Sequence, residues 1–209
     1  MQREQRIAEK LLQIKAVKLQ PQDPFTWASG WKSPIYCDNR KILSYPHIRD
    51  FVKSELSNLV FSEFPDAEVI AGVATAGIPH GALVADLLKM PFIYVRSKPK
   101  AHGMGNQIEG HLEEGKKVLV IEDLISTGKS SMEAIVALRE AGAKIEGLCS
   151  VFSYGFDISK DLFEKENIPV RSLSEYNALL EVALAQKVIE PSDMEVLQTW
   201  RENPGAWGK

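Results

Sequence analysis

The sequence predicts an α/β fold with a mainly parallel central sheet flanked by helices and a small accessory lobe. Three observations carry this. Short apolar runs alternate with amphipathic stretches from residue 68 to residue 173. The run Val118–Ile121 is apolar without a break, as a strand covered by helices on both faces must be. The 209 residues are 44% hydrophobic, with no internal repeat or low-complexity linker, which fits one domain spanning residues 1–209.

In order along the chain, Ile7, Leu11, Leu12, Ile14 and Val17 recur on one face of a helix over roughly the first nineteen residues, stopped by Pro21 and Pro24. Phe25 to Asn39 mixes aromatics, β-branched residues and Gly30, which predicts a short hairpin or irregular strands. Ile48, Phe51, Val52, Leu56, Leu59 and Val60 mark a second helix ending by Pro65. Strands then follow at 68–73, 92–95, 117–121, 145–153 and 170–173, with helices at 77–90, 129–141 and 158–166. Two more helices, at 174–184 and 192–203, finish the chain and could pack with the N-terminal segment as the accessory lobe.

The net charge of −3 gives no bulk reason to expect nucleic-acid binding. Cys37 and Cys149 show neither CxxC nor metal-ligand spacing, consistent with a reducing cytoplasm. The polar start, Gln2–Arg6, is not of signal-peptide type, and no apolar stretch is long enough to span a bilayer. A cytoplasmic protein with no membrane partner is expected.

Val118 to Ser131 carries the strongest chemical signal. The buried run ends in Glu122 and Asp123, followed by Ser126-Thr127-Gly128 and a helical pattern from Lys129. Bare N–H groups at a turn that opens a helix favour an anion, and carboxylates just upstream suit ribose hydroxyls or a divalent cation. A solvated strand end is the alternative, but ligands favour this edge of a parallel sheet. Gly128-Lys129-Ser130 imitates the end of a nucleotide-triphosphate P-loop, yet that motif needs glycine where Asp123 stands. No G-x-G-x-x-G follows a strand, so a dinucleotide fold has no support.

Arg96, Lys98, Lys100 and His102 lie within seven residues, interrupted by Pro99 and followed by Gly103 and Gly105. Such a segment suits a lid over a polyanion, or is a solvated basic turn. Thr75-Ala76-Gly77 joins a strand to a helix and can offer backbone N–H groups to an anion. His47, His80 and His111 show no ligand spacing, and Trp27 and Trp31 suit a core or interface better than base stacking. Lys32 is a possible substrate contact.

Glu122-Asp-Leu-Ile-Ser-Thr-Gly-Lys-Ser130 resembles the phosphoribosyl-pyrophosphate motif of the type I phosphoribosyltransferases. With Ser126 where purine-salvage members differ, it is similar to the orotate phosphoribosyltransferases. Phe25-Thr-Trp-Ala-Ser-Gly-Trp-Lys-Ser-Pro-Ile-Tyr36 and Arg96-Ser-Lys-Pro-Lys-Ala-His-Gly-Met-Gly-Asn-Gln-Ile-Glu-Gly110 resemble that family's acceptor-side segment and catalytic loop. The resemblance implies a type I fold with a hood lobe from residues 1–45 plus C-terminal elements. It implies the substrates phosphoribosyl pyrophosphate and orotate, Mg²⁺ carried mainly by the substrate, and a homodimer whose loops complete each other's sites.

It further implies catalytic roles for Lys100, His102, Asp123 and Glu122. Phosphoribosyl pyrophosphate would be held by Arg96, Lys100, His102, Glu122, Asp123, Leu124, Ile125, Ser126, Thr127, Gly128, Lys129 and Ser130, and orotate by Ser126. The chain departs from the family in four places. Ser97 stands where a lysine is usual, with Lys98 one place later, and Ala76 stands where a lysine often helps bind pyrophosphate. Ala28 and Phe156 stand where some relatives place a lysine and an orotate-contacting arginine. A transferase for another base and a ligand-sensing regulator without turnover are the competing readings; the regulator usually gains a DNA-binding segment that this net-acidic chain lacks.

Overall fold

The computed structural model describes residues 2–27, 30–97 and 107–207. Its helices are α1 (Arg3–Gln13), α2 (Pro46–Glu63), α3 (Gly77–Leu88), α4 (Lys129–Glu140), α5 (Asp157–Lys165), α6 (Tyr176–Ala185) and α7 (Met194–Glu202). Its strands are β1 (Val17–Leu19), β2 (Phe25–Thr26), β3 (Lys32–Ser33), β4 (Ile35–Cys37), β5 (Val69–Val73), β6 (Phe92–Val95), β7 (Ile108–Glu109), β8 (Lys117–Ile125), β9 (Lys144–Ser153) and β10 (Val170–Glu175).

The central sheet runs β10-β9-β8-β5-β6-β7. Every pair is parallel except the edge pair β6–β7. Successive residues of β8 feed two cores. Leu119 and Ile121 join a cluster with Leu11 of α1, Leu56 of α2 and Val84 of α3, while Val118 and Val120 pack with Ile135 and Leu138 of α4 and Phe163 of α5. A strand covered on both faces has no polar side to show, which is why it reads as one apolar run.

Four expectations about elements need correction. The first helix ends at Gln13, because Lys15 adopts φ 54° and Ala16 donates its N–H back to Leu11 O. Val17 therefore begins β1, paired antiparallel with β4, instead of extending the helix. A 3₁₀ helix over Asn39–Ser44, capped by Asp38 accepting from Arg40 N, follows β4 where no element was expected. The short edge strand β7 was also unforeseen. Finally, β8 continues four residues past Ile121, because β9 offers a ladder that pairs Glu122 with Ser150, Leu124 with Phe152 and Ile125 with Ser153.

The two ends of the chain meet. Trp200 of α7 is fully buried and packs edge-on against Trp27, Tyr154 and Phe156, with its indole Nε1 donating to Lys32 O at 3.2 Å. Arg201 donates to the carbonyls of Tyr154 and Gly155 at 3.3 and 3.0 Å. Phe156 is thus a core residue, stacked on Tyr154 at 5.3 Å between ring centroids.

Candidate active site

From β5 the chain winds through α3 to β6, and from β8 through α4 to β9, on opposite sides. Such a reversal opens a crevice at the carboxyl ends of the two central strands, where ligands of open α/β sheets bind. The N-termini of α3 and α4 lie at this crevice. Neither carries a side-chain cap or an acidic residue in its first turn, so their N–H groups and dipoles are left for an incoming anion. Gly128 ends the α4 turn at φ 79°, and a Cβ there would sit 2.9 Å from the Phe163 ring. Glycine is the residue that this turn accommodates.

Glu122 sits between the two helix starts, 4% exposed. Its Oε1 accepts Asp123 N–H at 3.1 Å, and its Oε2 accepts the hydroxyls of Ser131 at 3.1 Å and Ser130 at 3.4 Å. A Cβ at Gly77 would lie 2.5 Å from Ile121 O and 3.4 Å from Glu122 Oε1, so only a bare Cα lets α3 approach the acidic strand this closely. Burial, and after it the Asp123 charge, raises the Glu122 carboxyl well above its ordinary value. Asp123 is raised too, chiefly by burial. Two adjacent carboxyls without a basic side chain between them suit a cationic centre or sugar hydroxyls.

The Asp123 backbone is fixed from an unforeseen quarter. Buried Asn39 donates Nδ2 to Asp123 O at 2.7 Å and accepts from Cys37 Sγ at 3.4 Å. Arg40 stands beside it, its Nε 2.6 Å from Asp38 Oδ1. The signal for these residues was Cys37-Asp-Asn-Arg40 directly after the family-like segment, but nothing in its spacing announced the contact.

Next to Asp123 opens a cavity of about 260 Å³ lined by Thr26, Trp27, Tyr36, Cys37, Leu124, Ser126 and Tyr154. Aromatic walls with a few hydroxyls suit a flat, polar-edged ring. Ser126 and Leu124 thus lie here as well as next to the helix start. Trp27, expected as a core aromatic, belongs both to this wall and to the Trp200 cluster. Thr127 is half-buried in the turn, whereas Lys129 and Ser130 are exposed on the first turn of α4, with Lys129 3.9 Å from Glu133. Ile125 is buried and faces a different cavity, and its carbonyl accepts Tyr154 N–H, so its side chain does not reach this crevice.

On the other flank, Arg96 and Gln107 clasp the two arms of the β6–β7 connection. Arg96 N donates to Gln107 O at 2.9 Å and Gln107 Nε2 to Arg96 O at 3.2 Å, while the Arg96 guanidinium pairs with Glu109 at 3.6 Å. Ser97 is described, but Lys98, Lys100 and His102, like Ala28, lie outside the described residues. The Ala74–Thr75 peptide leading into α3 is cis, and Ala76 occupies the position before the helix. His80 is buried in α3 and held neutral by burial at about 4, while His47 and His111 are exposed.

An anion cradle, a carboxyl pair and an aromatic cavity in a row can hold a phosphorylated sugar with a planar group facing its reactive carbon. A family model described as a phosphoribosyl transferase domain matches residues 41–183. The chain is 53% identical over 204 residues to the orotate phosphoribosyltransferase of Bacteroides thetaiotaomicron, covering 98% of this chain and 96% of that one. The crystal structure of orotate phosphoribosyltransferase from Aeropyrum pernix superposes with a TM-score of 0.75 at 27% identity, covering 84% of this chain and 96% of that one. The Leishmania donovani UMP synthase structure gives 0.80 at 26% identity over 95% of this chain, which spans only 42% of that longer one.

Proposed function

The chain belongs to the phosphoribosyltransferase family and, within it, to the orotate phosphoribosyltransferases, and from that premise we propose how its residues transfer the 5-phosphoribosyl group of phosphoribosyl pyrophosphate to orotate, releasing pyrophosphate and forming orotidine 5′-monophosphate. The observation that carries the assignment of roles is the Glu122–Asp123 pair set between two uncapped helix starts and beside the Ser126 cavity.

The 5′-phosphate takes the turn from Ser126 to Ser130, where the uncapped N–H groups of α4 are left for it and the Thr127 and Ser130 hydroxyls can donate to it. Asp123 and Glu122 hold the ribose hydroxyls and oppose the positive charge that grows on C1 as pyrophosphate leaves. Orotate lies in the aromatic cavity with Ser126 on its edge and presents N1 to C1. Pyrophosphate rests on the backbone of Thr75–Gly77, since Ala76 offers no side-chain donor. Closure of the loop brings Arg96, Lys100 and His102 onto the departing charge and shuts out water that would capture the ribosyl centre. Arg96 must then exchange Glu109 for the substrate.

Among the described residues no three His, Cys, Asp or Glu side chains converge to hold a metal ion by themselves. A carboxyl pair raised chiefly by burial, with the Asp123 charge adding to the rise at Glu122, does fit a divalent cation that arrives with the substrate. Asp123 and Glu122 would help hold Mg²⁺ brought by the substrate, and the ion would neutralise leaving-group charge. The enzyme acts in the cytoplasm as a homodimer, each protomer lending its loop to the other. Both cysteines are free thiols, as a reducing compartment keeps them.

The test of function is orotate consumption, followed by ultraviolet absorbance, with phosphoribosyl pyrophosphate and with or without Mg²⁺. Turnover of orotate that disappears on chelation is expected; activity with hypoxanthine or adenine and none with orotate would overturn the acceptor assignment. Loop donation is tested by mixing two inactive variants, Lys100→Ala and Asp123→Ala. Subunit exchange should restore about a quarter of wild-type activity, from dimers carrying one intact site. No recovery after exchange would mean that each protomer closes its own site.

A further inference from the structure

Orotate differs from uracil by a carboxylate, and among the described residues that line the 260 Å³ cavity none is a cation to receive it. The surrounding field is unfavourable to such a group. The Cys37 thiol and Tyr154 hydroxyl of its wall are both held well above their ordinary values, by burial first, and the Asp123 carboxylate adds to the rise of each. An anionic acceptor therefore needs a counter-charge at the cavity rim.

Two described cations interact with residues of its wall, Lys32 with Thr26 and Arg40 with Tyr36. Arg40 is already paired with Asp38 at 2.6 Å, so its charge is largely compensated. Lys32 is different. Its Nζ donates to the hydroxyl of Thr26, a lining residue, at 2.9 Å, and that partner is neutral. No carboxylate among the described residues forms an ion pair with this ammonium, which stands next to the cavity wall. The Thr26 hydroxyl, having accepted from Lys32, keeps its own proton to donate inward. The Lys32 backbone is fixed independently of its side chain, by the Thr26–Lys32 register of β2–β3 and by Trp200 Nε1 donating to its carbonyl.

We infer that Lys32, acting with the Thr26 hydroxyl, is the specificity-determining cation that receives the carboxylate of the acceptor and so selects a carboxylated pyrimidine over one without it. This rests on the orotate reading and supplies the contact for which Ala28 and Phe156 are unsuited. The bland alternative is a cross-strand Lys–Thr bond that only stiffens the hairpin.

The deciding measurement compares calorimetric binding of orotidine 5′-monophosphate and uridine 5′-monophosphate, which differ only in the carboxylate. Lys32→Gln should weaken the first by about ten- to a hundred-fold, the worth of a charge-assisted hydrogen bond, and leave the second within about twofold. The KM for orotate should rise in parallel with that for phosphoribosyl pyrophosphate unchanged, and Lys32→Arg should recover part of the loss. Equal weakening of both nucleotides, or of neither, would overturn the inference and leave the hairpin role. Wild-type protein is the separate control: if it converts orotate, the assigned reaction stands whatever Lys32→Gln does. If it is inert toward orotate and binds both nucleotides alike, both readings fall.

Discussion

Asp123→Asn should lower kcat by about 10²–10³, the cost seen when one preorganised electrostatic contact to a transition state is removed. The substitution keeps the shape of the side chain and the Asn39 bond to the backbone carbonyl, and removes only the charge that the proposed mechanism sets against the ribosyl centre. Because that charge matters most when C1 is cationic, the KM for phosphoribosyl pyrophosphate should change far less than kcat. Stability should move the opposite way. The Glu122 carboxyl is raised by burial and then by Asp123, so its stabilising contribution is complete below the unfolded value of about 4.3 and drains away as pH rises through the folded value. Without the Asp123 charge the folded value falls toward normal and less is lost, so Tm should rise at pH 7–8 and be unchanged near pH 4. Paired kinetics and thermal scans check both halves; a kcat within threefold of wild type would remove Asp123 from the chemistry.

Gly77→Ala should damage both fold and activity through one added carbon. Its Cβ would lie 2.5 Å from Ile121 O and 3.2 Å from Glu122 Cα, both backbone atoms of a strand buried on both faces. Neither can yield, so α3 must back away, at about 1–3 kcal/mol for overpacking. For a chain of this size that is a Tm loss of roughly 2–4 °C per kcal/mol. The retreat would also carry the Thr75–Gly77 turn off its position relative to Glu122, and a displacement of about 1 Å can cost 10²-fold in rate. Leu87→Ala, on the same helix but 45% exposed, should leave both quantities near wild type. Wild-type Tm and activity in Gly77→Ala would show that α3 does not need the close approach.

The strand–helix alternation was legible because each buried strand is an unbroken apolar run and each helix shows a face. The acidic pair and the Ser126–Gly128 turn were legible for a related reason: the residues that make them are contiguous, and local backbone chemistry suffices to read them. Even there the strand's length was misjudged. Whether Glu122 to Ile125 extend a strand depends on β9 lying alongside, and no property of those four residues announces a partner twenty-eight positions away at Ser150.

The acceptor side shows the limit most clearly. Thr26, Trp27, Tyr36 and Cys37 come from one end of the chain, Leu124, Ser126 and Tyr154 from its middle, and the wall is backed by Trp200 from the other end. The matched family span of residues 41–183 includes neither terminal group. Asn39 on the Asp123 carbonyl and Lys32 on the Thr26 hydroxyl are contacts of the same kind. From the chain alone came the α/β class, the phosphate turn and the paired carboxylates, because those follow from periodicity and neighbouring residues. The floor and walls of the aromatic cavity came only with folding, because side chains far apart in sequence become neighbours through sheet order and core packing, which no local pattern encodes.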